Sequence, residues 1–151
     1  MRNRHRQHTP AAAAVRGAVA AMSMSGMREL TVRAGLVEAT PPEMISDEHA
    51  PEAVRRLPRR GRDVLVVLAH WAYGATGGVV FDRLPARIRD RLWAGPAYGV
   101  LLWLGFEFVV VPVGGLRFRQ AAAVGQRLAF AADHLLYGAV LQGGLRGVSR
   151  R

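Results

Sequence analysis

Hydrophobic and polar positions in this chain are segregated into blocks rather than interleaved. From Val64 to Phe81 (VLVVLAHWAYGATGGVVF), 18 residues carry no formal charge, bracketed by Arg62-Asp63 and Asp82-Arg83. A helix of that length measures roughly 27 Å at 1.5 Å per residue, close to the hydrocarbon thickness of a bilayer. Trp93 to Leu116 is apolar apart from Glu107, and Leu128 to Leu145 is interrupted only by Asp133 and His134. A surface helix of a soluble protein shows a polar stripe every turn, and these segments do not. The pattern predicts three spanning helices.

A fourth, at the N-terminal end, has a different texture. Ala11 to Met27 is rich in Ala and Met but contains Arg16, and Arg28-Glu29 follow directly. If Arg16 snorkels to one interface and Arg28 to the other, a short or tilted helix spans. Gly17, Ser23, Ser25 and Gly26 suit close packing against other helices. An amphipathic helix lying in the interface is the rival, and no convincing cleavage site marks a signal peptide. The predicted fold is therefore an all-α, integral-membrane four-helix bundle. Helices are expected at about 11–34, 64–81, 93–116 and 121–145, within a single membrane domain over 11–146. Short basic tails occupy 1–10 and 147–151. A charged, Pro-rich loop at 38–62 joins the first two helices, with Pro41-Pro42 as a helix stop.

Composition bounds the class. Half of the 151 residues are hydrophobic, yet 21 basic residues face 11 acidic ones, for a net charge of +10; every basic residue is Arg. With no Cys there is no disulfide scaffold and no thiolate metal site. The Ala- and Arg-rich, Lys-free composition points to a high-GC bacterial genome. In the connection Asp82–Leu92 (DRLPARIRDRL), Leu84, Ile88 and Leu92 recur every four residues among Arg83, Arg87, Arg89 and Arg91. That is the pattern of a turn lying on a membrane with its arginines toward anionic headgroups. The cluster Arg55, Arg56, Arg59, Arg60 and Arg62 lacks stacking aromatics, so no nucleic acid is expected as a partner. With four spans, ten arginines fall on the side of the termini and nine on the other. Basic-residue counting leaves the orientation open; the acids of the long loop favour cytoplasmic termini.

One short pattern occurs twice. His70-Trp71-Ala72-Tyr73-Gly74-Ala75 and His134-Leu135-Leu136-Tyr137-Gly138-Ala139 are both HxxYGA, each seven residues after a charged boundary and each before a Gly pair. This points to two related helix pairs, first-second and third-fourth, with the second and fourth running the same way. Gly26 and Gly35 against Gly105 and Gly114 extend the match faintly. His at i and Tyr at i+3 share a helix face, and Gly at i+4 lets a neighbour approach. Counting residues from the boundaries puts His70, His134, Asp133 and Glu107 near one depth. Polar groups there should face inward and pair. The expected cluster is His70, Tyr73, Glu107, Asp133, His134 and Tyr137, with Glu107 accepting from His70 or His134. It either holds helices together or handles protons; a metal or haem site has no supporting motif.

The segments RGAVAAMSMSGM before PPE, AHWAYGATGGVVFD, AGPAYGVLLWLGFEFVVVPVGG and DHLLYGAVLQGG resemble the YagU-like family of small bacterial inner-membrane proteins. The resemblance runs from Arg16 to Gly144. Its most specific parts are the two HxxYG elements and the run Gly95, Tyr98, Gly99, Trp103, Glu107, Pro112. The resemblance implies a multi-pass inner-membrane protein of uncharacterised activity, linked to acid tolerance, with no catalytic residues to carry over. The chain departs from that pattern in its charged first helix.

The functional expectation is a non-enzymatic membrane protein without cofactor, acting in acid or proton stress, with the lipid bilayer as its partner. No nucleophile has a neighbouring base. Two rivals stand beside it: a small transporter or channel subunit working as a homo-oligomer, and a soluble basic helical protein that binds nucleic acid or another partner.

Overall fold

The structure, a computed structural model, describes residues 9–35, 50–113 and 124–149, and among them every regular element is helical. Four long helices carry the fold. Helix α1 spans Pro10–Arg33, and α2 spans Arg59–Asp82. Helix α3 spans Ala94–Gly105 and continues through a π-helical turn, Phe106–Val110, into Val111–Val113. Helix α4 spans Val124–Ser149. Glu52–Arg55 and Ala86–Arg89 are single helical turns between them.

The ends of α1 follow local chemistry. Thr9 is the N-cap, its hydroxyl accepting from the Ala12 N–H at 3.2 Å, and Pro10 stands where no amide hydrogen is needed. Gly35, at φ 70°, terminates the helix in the left-handed conformation that costs glycine least. The expected stop at Pro41-Pro42 lies outside the described residues, as do residues 1–8, 114–123 and 150–151. Helix α2 begins at Arg59, directly after Pro58 and earlier than the apolar block at Val64, because Arg59, Arg60 and Arg62 are sound helix formers. Residues 147–149, expected as part of a tail, extend α4.

Glycine contacts set the packing. An added Cβ on Gly17 of α1 would lie 2.9 Å from the Gly78 Cα of α2 and would strike the Gly74 carbonyl. On α3, a Cβ on Gly95 would strike the Gly138 carbonyl of α4, and one on Gly99 the His134 carbonyl. Each pair is therefore antiparallel and packed backbone to backbone, as small residues permit. Helices α1 and α4 then pack together and join the two pairs. Helices α2 and α3 do not approach as closely. Tyr98 fills the space between them, its hydroxyl donating to the Gly77 carbonyl at 2.9 Å and its ring 5.2 Å from that of Phe81. The grouping into two similar pairs agrees with the sequence repeat. In the first and third helices, however, the matching positions are Gly17 and Gly95, not Gly26 and Gly105, which meet nothing within 4 Å.

The interior is built of Ala20, Ala21, Met24, Phe81, Ala94, Tyr137 and Leu141. Many of the largest aliphatic and aromatic side chains point outward, among them Val64, Leu68, Leu101, Phe108, Val109 and Leu128. Among the described residues Arg59–Asp82 is the helix long and apolar enough to cross a membrane, with a mean hydropathy of 1.6 over its most apolar stretch, and Ala94–Val110 is a shorter apolar helix. Helices α1 and α4 fall short of that measure.

Candidate functional site

Register places the expected residues. In the α3–α4 pair, Gly95 lies against Gly138 and Gly99 against the backbone of His134. Moving eight residues along α3 moves the contact eight residues back along α4, so Glu107 arrives near Arg127, not at a histidine. The geometry agrees: Arg127 Nε lies 3.5 Å from Glu107 Oε1. The expected acceptance by Glu107 from His70 or His134 is therefore replaced by an arginine pair. Depth counted from Arg117 misleads because the antiparallel register, not a charge boundary, decides which groups meet. The π turn at Phe106–Val110, with its i→i+5 bonding, also alters the phase of α3 where Glu107 sits.

Arg28, expected at an interface, instead turns inward: its Nε lies 3.7 Å from Asp133 Oδ2, across the α1–α4 contact. Arg16 likewise faces inward, donating to Asp82 Oδ1 at 3.0 Å. Three arginines thus pair with three acids on other helices. Glu107 and Asp133 are 3% and 2% exposed. Removing charge from water is costly unless a partner is near, which is why these side chains turn toward each other instead of outward. Trp71 donates to Ser25 Oγ at 3.3 Å beside this row and ties α2 to α1.

The two HxxYG elements meet. Because α2 and α4 run in the same direction, their repeats lie at one level, and His70, Tyr73, Gly74, His134 and Tyr137 all line one cavity of about 30 Å³ with Ala21, Met24, Gly77 and Leu102. That volume suits a water-sized group and excludes an organic substrate. The tyrosines diverge. Tyr137 is 2% exposed and donates to the Gly74 carbonyl at 2.7 Å, whereas Tyr73 is 61% exposed at the cavity's rim.

The histidines also differ. A carbonyl oxygen can only accept, so the 2.8 Å contact of His134 Nδ1 with the Phe130 carbonyl puts the proton on Nδ1 and leaves Nε2 as the basic nitrogen. His70 Nε2 is buried with no hydrogen-bond partner among the described residues, and the same holds for Asp133 Oδ1. Arg28 stands within electrostatic reach of both imidazoles. Beyond the tyrosines, Phe81 and Leu141 form a buried apolar layer, and past it lies a second polar group of Arg16, Asp82, Arg89 and Gln142. Among the described residues no three His, Asp or Glu side chains converge as metal ligands would.

Of the six expected residues, four line the cavity, Asp133 pairs with Arg28 outside that lining, and Glu107 belongs to a separate pair. Arg16, Arg28 and Arg127 are the inward-paired positions that sequence reasoning missed. Their signal was available in the arithmetic: three arginines and three acids, Asp82, Glu107 and Asp133, stand within or at the ends of the long helices' apolar stretches. Compared with protein-family models, with curated proteins and with solved structures, the chain has no match in any of the three.

Proposed function

We propose that this chain is a non-enzymatic, multi-pass protein of the bacterial inner membrane, whose interior His/Asp/Tyr cluster takes up and releases protons under acid stress. The observation that carries the membrane reading is the inverted distribution of side chains. Glu107, Asp133 and Gln142 are buried, while many valines and leucines, with Phe108, stand on the outside of the bundle. In water that outer surface would be a large aggregation-prone patch; in lipid it costs nothing. Helices α1 and α4 then cross with their polar groups turned inward, where partners offset the cost of immersion. The resemblance to the YagU-like family supports the same location and the link to acid tolerance. What supports proton handling is the pair of histidines at one cavity, each with a nitrogen open to protonation, beside a carboxylate with an unsatisfied oxygen. At about 30 Å³ the cavity is too small for a larger solute, so a transporter role for one would draw on several copies.

Two experiments test this. Alkaline carbonate or high salt strips a peripheral basic protein from membranes and leaves a spanning one, so release of the chain into the supernatant defeats the membrane reading. In sealed vesicles, His70→Ala and His134→Ala are expected to lower proton uptake on an acid jump and to reduce acid survival in cells. Wild-type behaviour in both variants, at equal expression, leaves the cluster with a purely structural role.

A further inference from the structure

The connection from α2 to α3 is a built platform rather than a slack loop. Arg89 acts as its pin: Nη1 donates to the Asp82 carbonyl at 2.7 Å, and the guanidinium lies 3.7 Å from Asp82 Oδ1. The Arg89 carbonyl in turn accepts from Gln142 Nε2 of α4 at 2.9 Å, and Gln142 is buried. Leu84 packs onto the core from the same segment. With Arg89 committed inward, the other three arginines, Arg83, Arg87 and Arg91, all face outward and are exposed. Among the described residues none of the three enters an ion pair, while Asp82 is occupied by Arg16 and Arg89, and Asp90 by Arg89. At the opposite end of the bundle Arg33 and Arg56 have Glu29 and Glu52 beside them, while Arg55, Arg59 and Arg60 are exposed and enter no ion pair among the described residues, so charge alone does not set the Asp82–Leu92 connection apart.

Apolar side chains stand in the same segment: Leu92 is 70% and Trp93 59% exposed, with Ile88 also outward. Unneutralised arginines next to exposed Leu and Trp form a surface that is half cationic and half lipophilic. Nucleic acid engages the arginines and stacks on Trp93 but leaves Ile88 and Leu92 uncovered; an anionic phospholipid, phosphate above and acyl chain below, covers them as well. We infer that Arg83, Arg87 and Arg91, held outward by the Arg89 pin, form a headgroup seat for anionic phospholipid, with Leu92 and Trp93 against the acyl region. This inference rests on the membrane reading above and adds a lipid preference to it.

The test uses the full chain in a neutral detergent, doped with phosphatidylglycerol, phosphatidylcholine, inorganic phosphate or a duplex oligonucleotide, with thermal unfolding as the readout. Phosphatidylglycerol is expected to raise the midpoint, and phosphatidylcholine and phosphate are not. The triple variant R83Q/R87Q/R91Q should match wild type with phosphatidylcholine, because the three side chains are exposed. It should need more phosphatidylglycerol for the same shift, by about fivefold for each arginine removed. The control R55Q/R59Q/R60Q at the other end, where three arginines are equally exposed and unpaired but no exposed tryptophan stands beside them, should keep the wild-type response. An equal response of wild type and R83Q/R87Q/R91Q overturns the inference. So does a shift by inorganic phosphate or by the oligonucleotide that equals the lipid's. Carbonate extraction separates the two levels: release from membranes defeats the membrane reading, whereas resistance to carbonate with no lipid selectivity defeats the seat alone.

Discussion

In the α1–α2 pair, Gly17 is pressed between Gly74 and Gly78; in the α3–α4 pair, Gly95 and Gly99 are pressed against Gly138 and the backbone of His134. The two interfaces are built the same way, with a glycine on each helix at the point of closest approach. The tyrosine that precedes the motif glycine has opposite fates. Tyr137 enters the interior and bonds the Gly74 carbonyl, which links the second pair to the first, while Tyr73 faces out. Repeated sequence thus repeats the contact within each pair, and the contact between pairs is asymmetric. A close glycine interface depends on residues of its own two helices. The direction of a tyrosine depends on what stands opposite, and only one of two equivalent tyrosines can fill a single central gap.

The largest effect should come from the shared glycines. Gly17→Leu and Gly138→Leu each drive a side chain into backbone that cannot retreat, so each is expected to abolish folding or to cost more than about 3 kcal/mol. Gly105→Ala, where a Cβ meets nothing, should be neutral or slightly stabilising. Protease resistance of the purified chains measures all three. If one pair tolerates leucine while the other does not, the equivalence of the interfaces fails.

An intermediate effect is expected at the contact between pairs. Asp133→Leu leaves Arg28 buried opposite an apolar group and should cost about 3 kcal/mol; Arg28→Met with Asp133→Leu should recover most of it. The exposed pair Arg33–Glu29, within one helix, should change stability by less than about 0.5 kcal/mol when either side chain is removed. A double-mutant cycle by thermal unfolding gives both numbers, and equal coupling at the two sites would deny the buried pair its role.

The smallest effect sharpens the comparison most. Tyr137→Phe removes a buried hydrogen bond and leaves the Gly74 carbonyl with its helical bond alone, a cost of about 1 kcal/mol, while Tyr73→Phe should change little. The midpoint of unfolding compares them directly. Matching losses would mean that the exposed tyrosine has a partner equivalent to Gly74.

Much of this was legible in the sequence. The uncharged run Val64–Phe81 becomes most of α2, and the HxxYGA repeat does bring His70 and His134 to one cavity. What misled was treating charges as markers of depth. Arg16 and Arg28 look like snorkelling residues when α1 is considered alone, because nothing in α1 reveals that Asp82 and Asp133 lie across from them. Glu107 looks level with the histidines when counted from Arg117, and the glycine register moves it to Arg127. The early start of α2 at Arg59 was missed for a related reason: hydrophobicity marks where a helix is apolar, not where its hydrogen bonds begin.

By itself, then, the amino-acid order determined the properties that local chemistry controls: helices instead of strands, the small-residue faces through which they touch, and the twofold repetition of a histidine-tyrosine-glycine element. Tertiary structure decided which arginine meets which acid, which tyrosine is buried, and which of four loop arginines turns inward. Those choices depend on the register between helices far apart in the chain. Register is set by the closest backbone contact, and a side chain's partner is whatever that contact carries into reach.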